Sequence, residues 1–223
     1  MKYGVRAIGD NVAAVRGASI VILSVKPQQL SGVLTELKGK IEPQAVVISI
    51  IAGKTIAELT AGLNQHLVVR TMPNLPAQIC EGITGWIPAS GMSEVELKQA
   101  RMILSALGEE ILLDDERQVD MVTAISGSGP AFVFEFMQRT ILAAVMIGLP
   151  RHIAKRLVLA TLRGAARFAE RSSEHHLAEL FEQVMSPAGT TAAGYGELIR
   201  LGFSHSVIAA VVAAHNRAKE LGK

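Results

Sequence analysis

Three short runs that are apolar on both faces set what this chain can fold into. Residues 19–25 (SIVILSV) stop at Lys26-Pro27, residues 45–51 (AVVISII) stop at Ala52-Gly53, and residues 66–70 (HLVVR) are closed by Pro73 and Pro76. Strands with apolar side chains on both faces must be covered on both, as parallel strands flanked by helices are. Between the runs, residues 28–37 and 55–63 carry helical spacing, so the order is βαβαβ, an open α/β sheet. Residues 82–87 and 109–113 are candidates for two further strands. Ser93, with Glu96 three positions on, is a capping box predicted to open a helix to about Leu107.

Strand-like runs stop near Asp115, which divides the chain into residues 1–115 and 116–223. The second part is all-helical. Pro130 and Gly148 bracket one long helix, Pro150 begins another that reaches about Arg171, and a shorter one covers 173–184. A fourth spans 190–201 before Gly202, and Ser204 is expected to cap a last one to about Leu221. These segments are apolar on more than one face and carry close-packing pairs such as Ala143-Ala144 and Ala213-Ala214. That pattern predicts burial against a second subunit.

Composition narrows the function classes. With 49% hydrophobic and 19% charged residues a large core is easily filled. Twenty-two Lys and Arg against 20 Asp and Glu leave +2, too little to hold a nucleic-acid backbone. One Cys excludes a disulfide framework and a Cys-based zinc site, and suits a reducing cytoplasm. The longest uncharged stretch of the last third, residues 201–216, contains two His and two Ser and falls short of the roughly 18–20 apolar residues of a membrane span. Met1-Lys2 is followed by no apolar signal segment, so the expectation is a soluble cytoplasmic protein.

The segment with most chemical content is residues 186–194 (SPAGTTAAG), which places Pro, Gly and two hydroxyls ahead of a helix. Free N–H groups at a helix start bind a carboxylate or phosphate, although an ordinary capped helix start has the same spacing. Residues 126–130 (SGSGP) lack the GK[ST] ending of a phosphate loop and suit close backbone packing. In Glu174-His175-His176 the adjacent imidazoles point apart, so no metal site is expected, and Glu174 is either a ligand acceptor or a solvated carboxylate. Lys26 follows a buried strand, where α/β sheets bind ligands, or is simply a surface lysine.

These motifs, in this order and spacing, resemble the pyrroline-5-carboxylate reductases. The matching segments are 25–27 (VKP), 49–53 with Thr55-Ile56, 70–76 (RTMPNLP), 126–131 (SGSGPA), 148–150 (GLP) and 186–191 (SPAGTT). The resemblance implies a partial Rossmann-type parallel sheet domain followed by an all-α dimerisation domain, forming a homodimer or a larger homo-oligomer. It implies NADPH or NADH as cofactor and 1-pyrroline-5-carboxylate and L-proline as substrate and product, with no nucleic acid or membrane partner. Ser24, Val25, Lys26, Pro27, Ile50, Ile51 and Ala52 match the nicotinamide side of the cofactor site, with Asn11 beside it. Thr191 matches the catalytic hydroxyl that hydrogen-bonds the imine nitrogen. Ser186, Gly189, Thr190 and Thr191 match the substrate-carboxylate turn, and Glu174 matches the acidic residue near the substrate amine.

The chain also departs from that family. Nothing before Tyr3 corresponds to the family's first strand, G-x-G-x-x-[AG] turn and helix; residues 4–8 align with what would be its third strand. The run at residues 19–25 is then expected to be an exposed edge, and the dinucleotide's pyrophosphate grip to be missing. Ala188 stands where Gly is usual and Phe132 where Tyr is common. Three readings follow: the reductase itself, a non-catalytic oligomerising paralogue, and a reductase of the wider Rossmann-plus-helical group acting on a hydroxy acid. The SPAGTT turn speaks against the third.

Overall fold

The computed structural model describes residues 4–222. Two compact units divide it: Met1–Pro130 with Val211–Lys223, and Ala131–Ala210.

The first unit is built on a five-stranded sheet in the order β1 (Ile20–Leu23), β2 (Val46–Ser49), β3 (Val68–Met72), β4 (Gly82–Pro88), β5 (Gly108–Leu112). The first three strands are parallel, as their doubly apolar composition requires, and every residue of β2 and β3 is buried. Alternation along β2 feeds two cores. Val47 packs with Leu30, Leu34, Leu37, Leu59 and Leu63 on one side, and Val46 and Ile48 with Trp86, Ala100 and Leu104 on the other. The first set comes from helices α2 (Leu30–Leu37) and α3 (Ile56–Leu63), which follow the short α1 (Asn11–Val15). The second includes α4 (Glu94–Ser105), opened by the Ser93–Glu96 capping box, so the sheet is covered on both faces.

The sheet is parallel over β1–β3, as expected, and becomes mixed beyond them. β4 runs antiparallel to β3, and β5 returns parallel to β4. The cause lies in the connections: the link between β3 and β4 is too short for a crossover helix, whereas α4 carries the chain from β4 to β5.

Residues 4–8, aligned above with a strand, form none, and Val5 and Ile8 are exposed. A strand needs a partner for its backbone, and Gly4 turns the chain with φ +65°. β1 is accordingly an edge strand among the described residues, with Ile22 exposed on it.

Packing carries the first unit past residue 115. Arg70 on β3, only 3% exposed, donates from Nη1 to Glu116 Oε1 at 3.1 Å and from Nη2 to Asp120 Oδ1 at 2.6 Å. Glu116 Oε1 also accepts the N–H of Ile56 at 2.7 Å, and Asp120 lies on α5 (Arg117–Val122). Arg117 donates to Asp115 from Nε, Nη2 and its backbone N–H, and that hydrogen bonding holds the Asp115 carboxyl down to about 2. A π-helical turn, Thr123–Gly127, continues α5. In it the hydroxyls of Thr123 and Ser126 donate to the carbonyls of Val119 and Val122, and that of Ser128 to Thr123. These serines are therefore engaged with backbone, while the glycines are not sites of close backbone packing: a Cβ at Gly127 would make only ordinary contacts from 3.7 Å and one at Gly129 would meet nothing within 4 Å.

The helices that follow are α6 (Gly129–Met146), α7 (Arg151–Arg171), α8 (Leu177–Val184), α9 (Thr190–Arg200) and α10 (Phe203–Leu221). Gly148 and Gly202, at φ +103° and +77°, end α6 and α9 as positive-φ stops. Two boundaries differ from the sequence reading. Residues 172–176 are a turn rather than the start of α8, which His176 caps through Nδ1. Ser204 lies inside α10 rather than capping it.

Removing the Arg70 side chain leaves two carboxylates without their shared cation. Arg70→Ala should therefore cost about 3–5 kcal/mol, read as a lower urea midpoint at unchanged slope.

Candidate active site

Ligands of α/β sheets sit beyond the carboxyl ends of the parallel strands, and two predicted segments fall there. β1 ends at Leu23, after which Ser24 and Lys26 are exposed and Val25 and Pro27 half-buried. Pro27 then opens a 3-10 turn, Pro27–Gln29, fixed by the Gln29 N–H donating to Lys26 O at 2.9 Å. β2 ends at Ser49, and the Ile50 N–H donates to Leu23 O at 3.1 Å, which brings residues 50–52 beside the end of β1. Ile51 is buried, while Ile50 and Ala52 are half-buried.

Asn11 begins α1, whose first turn Asp10 caps by accepting the Ala13 N–H at 3.1 Å. Asn11 joins Ser24 and Val25 in lining a cavity of about 250 Å3 along β1. Its amide already donates to Glu36 Oε2 at 2.8 Å.

The predicted substrate segment lies in the helical unit as one tight turn between α8 and α9. Gly189 N–H donates to Ser186 O at 3.0 Å, and a Cβ at Gly189 would overlap Ser186 Oγ. A larger residue at 189 would have to turn the Ser186 hydroxyl away and would press on Ser186 O at 3.1 Å. Residue 188 carries the positive φ of the turn, +59°, although it is Ala and not Gly. Gly189 is the N-cap of α9 and supplies no side chain; no side-chain hydrogen bond caps the helix. The first intrahelical bond runs from Ala193 N–H to Gly189 O, so the N–H groups of the first turn point at the space beyond Thr190 and Thr191. Thr190 is exposed and Thr191 half-buried. The rings of Phe181 on α8 and Tyr195 on α9 meet at 4.7 Å and brace the turn from behind.

Glu174 stands apart from that cluster. It is exposed in the turn before α8, 3.7 Å from His175 Nε2, and has no hydrogen bond to residues 186–191 among the described residues. His175 Nδ1 faces Glu179 at 3.0 Å, which leaves the paired histidines engaged with neighbouring carboxylates and a capping role. Among the described residues no group of three or more His, Cys, Asp or Glu is arranged to hold a metal.

Ser49 and Thr71 fall in the matching segments 49–53 and 70–76 but carry no site role in the sequence reading. Both are fully buried at the ends of β2 and β3, and both direct their hydroxyls at the backbone of the 49–51 turn. Inside apolar runs a single Ser or Thr gives no periodic signal.

The comparisons bear on both halves of this arrangement. A family model described as pyrroline-5-carboxylate reductase dimerisation matches residues 116–221, and one described as NADP oxidoreductase coenzyme F420-dependent matches residues 1–53. The pyrroline-5-carboxylate reductase of Pseudomonas aeruginosa is 42% identical over 223 residues, which is all of this chain and 81% of that protein. The Synechocystis enzyme of the same name is 40% identical over 222 residues, 99% of this chain and 82% of its own length. Among solved structures, Plasmodium falciparum pyrroline carboxylate reductase with NADP bound superposes with a TM-score of 0.91 at 30% identity, covering 97% of this chain and 82% of that one. The Coxiella burnetii pyrroline-5-carboxylate reductase gives 0.87 at 36%, covering 100% and 83%.

An alanine held at φ +59° is strained where glycine is not. Ala188→Gly should stabilise the chain by about 0.5–1 kcal/mol after the greater entropy of glycine is subtracted, seen as a raised thermal midpoint.

Proposed function

The chain belongs to the pyrroline-5-carboxylate reductase family, and from that premise we propose that it reduces 1-pyrroline-5-carboxylate to L-proline with NADPH or NADH. The observation that carries the reading is the α9 start: a helix without a side-chain cap, behind a Ser-Pro-Ala-Gly turn, with two threonines in its first turn. Such a start holds a carboxylate on backbone N–H groups and offers hydroxyls beside it.

When bound, a dihydronicotinamide would supply a hydride to C5 of the imine, whose nitrogen must be, or become, protonated. The chain's own residues do the rest. The Thr190 and Thr191 N–H groups, with Ser186 and Gly189 shaping the turn, hold the substrate carboxylate. The Thr191 hydroxyl donates a hydrogen bond to the ring nitrogen, orients it and polarises the C=N bond. Glu174 is assigned to the amine side by resemblance alone, since its exposed carboxylate stands apart from the 186–191 turn.

The residues at the strand ends fit the nicotinamide end of the cofactor. The half-buried Val25, Pro27, Ile50 and Ala52 offer apolar walls, the exposed Ser24 a neutral hydroxyl, and no carboxylate lies among residues 24–27 or 50–52. Holding both rings in register supplies most of the remaining rate enhancement.

We further propose a homodimer, open to larger assemblies, in the cytoplasm. The helical unit buries few of its apolar side chains and exposes Phe134, Leu157, Phe168 and Ile208 among others. So much exposed apolar surface calls for a partner, and a second copy is the partner the dimerisation-domain match supports. Among the described residues no single helix is long and apolar enough to cross a membrane.

Loss of dihydronicotinamide absorbance on adding 1-pyrroline-5-carboxylate tests the activity. Turnover by the purified chain supports the reductase, and oligomerisation with neither turnover nor cofactor binding would favour a non-catalytic paralogue. Thr191→Ala should lower kcat on the order of 10-fold or more with the thermal midpoint unchanged. Light scattering should give a mass at least twice the 23.7 kDa of one chain.

A further inference from the structure

The turn that follows β2 is fixed by two hydroxyls that packing does not require. Every other residue of β2 is apolar, and of β3 only Arg70 and Thr71 are polar. Ser49 and Thr71 are each fully buried. A buried hydroxyl is unfavourable unless it is hydrogen-bonded, and Ala or Val would fill the same space without that cost. Both hydroxyls are spent on one stretch of main chain. Thr71 Oγ1 donates to Ser49 O at 3.1 Å, across from β3 to β2. Ser49 Oγ accepts the N–H of Ile51 at 3.3 Å. The first bond fixes the carbonyl of the peptide between residues 49 and 50, and the second the N–H of the peptide between 50 and 51.

Two further contacts complete the restraint. Ile50 N–H is held by Leu23 O, as described above. Gly53 closes the turn at φ +73°, where a Cβ would stand 2.6 Å from the Leu221 carbonyl carbon and 2.8 Å from Gly222 N at the end of α10. Ser49 and Thr71 are the members of this set that act through side chains.

We propose that Ser49 and Thr71 are positioning residues for the nicotinamide: their hydroxyls set the peptides at residues 50–52 against which the cofactor ring is held. This rests on the cofactor reading above. Hydride transfer tolerates little displacement of the ring, so a turn freed at one end loses cofactor affinity and turnover together, while substrate-carboxylate binding at α9 is untouched. A role confined to packing would instead lower stability and leave the folded protein's affinities unchanged.

The test uses the full chain and its Thr71→Val, Thr71→Ser and Ser49→Ala variants. NADPH affinity is measured by calorimetric titration and the exchange of the Ile51 amide by NMR without cofactor. Thr71→Val should weaken NADPH binding on the order of 10-fold and lower kcat, with KM for pyrroline-5-carboxylate within about twofold. Thr71→Ser, which keeps the hydroxyl, should restore both, and Ser49→Ala should speed Ile51 exchange on the order of 10-fold or more. Wild-type affinity in a folded Thr71→Val chain overturns the inference alone. Failure of the wild-type chain to bind NADPH overturns the cofactor reading and the inference with it.

Discussion

The buried Arg70 guanidinium is the constraint on which the arrangement at the carboxyl end of the sheet depends. Removing a cation from water is costly, and two carboxylates at hydrogen-bond distance offset that cost only while both stay in place. One of them, Glu116, simultaneously accepts the Ile56 N–H at the start of α3. A single ionic group thus ties β3, the helix that covers β2, and the chain leaving β5. Among the described residues Arg70 Nε is buried without a partner. The geometric effect of the cluster is to fix where residue 116 enters α5.

That cluster also explains how the chain divides. By composition, strand character ends at Asp115, and the dimerisation-domain match begins at 116. By packing, residues 116–130 stay with the sheet, because Glu116 and Asp120 are the counter-charges of a strand residue. Patterning reads which element type a segment forms. It does not read which neighbour a charged side chain will satisfy.

The same distinction governs what was legible beforehand. β1, β2 and β3 were readable because runs apolar on both faces have one economical solution, and α4 because its capping box is written locally in Ser93 and Glu96. The reversal of β4 lay in the brevity of the 73–81 link, a signal of length and not of residue type. Residues 4–8 failed as a strand because pairing is not a local property. In the site, the 186–191 turn was legible from its Pro, Gly and Thr residues, whereas the unusual φ at Ala188 was not, since alanine rarely marks such a position. Ser49 and Thr71 were hidden because a lone hydroxyl in a buried strand looks like a neutral substitution until its acceptor is known.

The 49–53 and 186–191 turns are held by different means. The 49–53 turn rests on a sheet buried on both faces, with main-chain, hydroxyl and backbone-packing restraints converging on it. The 186–191 turn is carried by helices that are themselves largely exposed, with one aromatic contact behind it. Preorganisation there cannot come from a core that the single chain does not possess. The association proposed above would supply it, removing the exposed apolar faces of α6 to α10 from water at roughly 25 cal/mol per Å2. Order in the 186–191 turn and cover for those faces are thus one physical requirement, whereas the 49–53 turn is set by the sheet together with the end of α10.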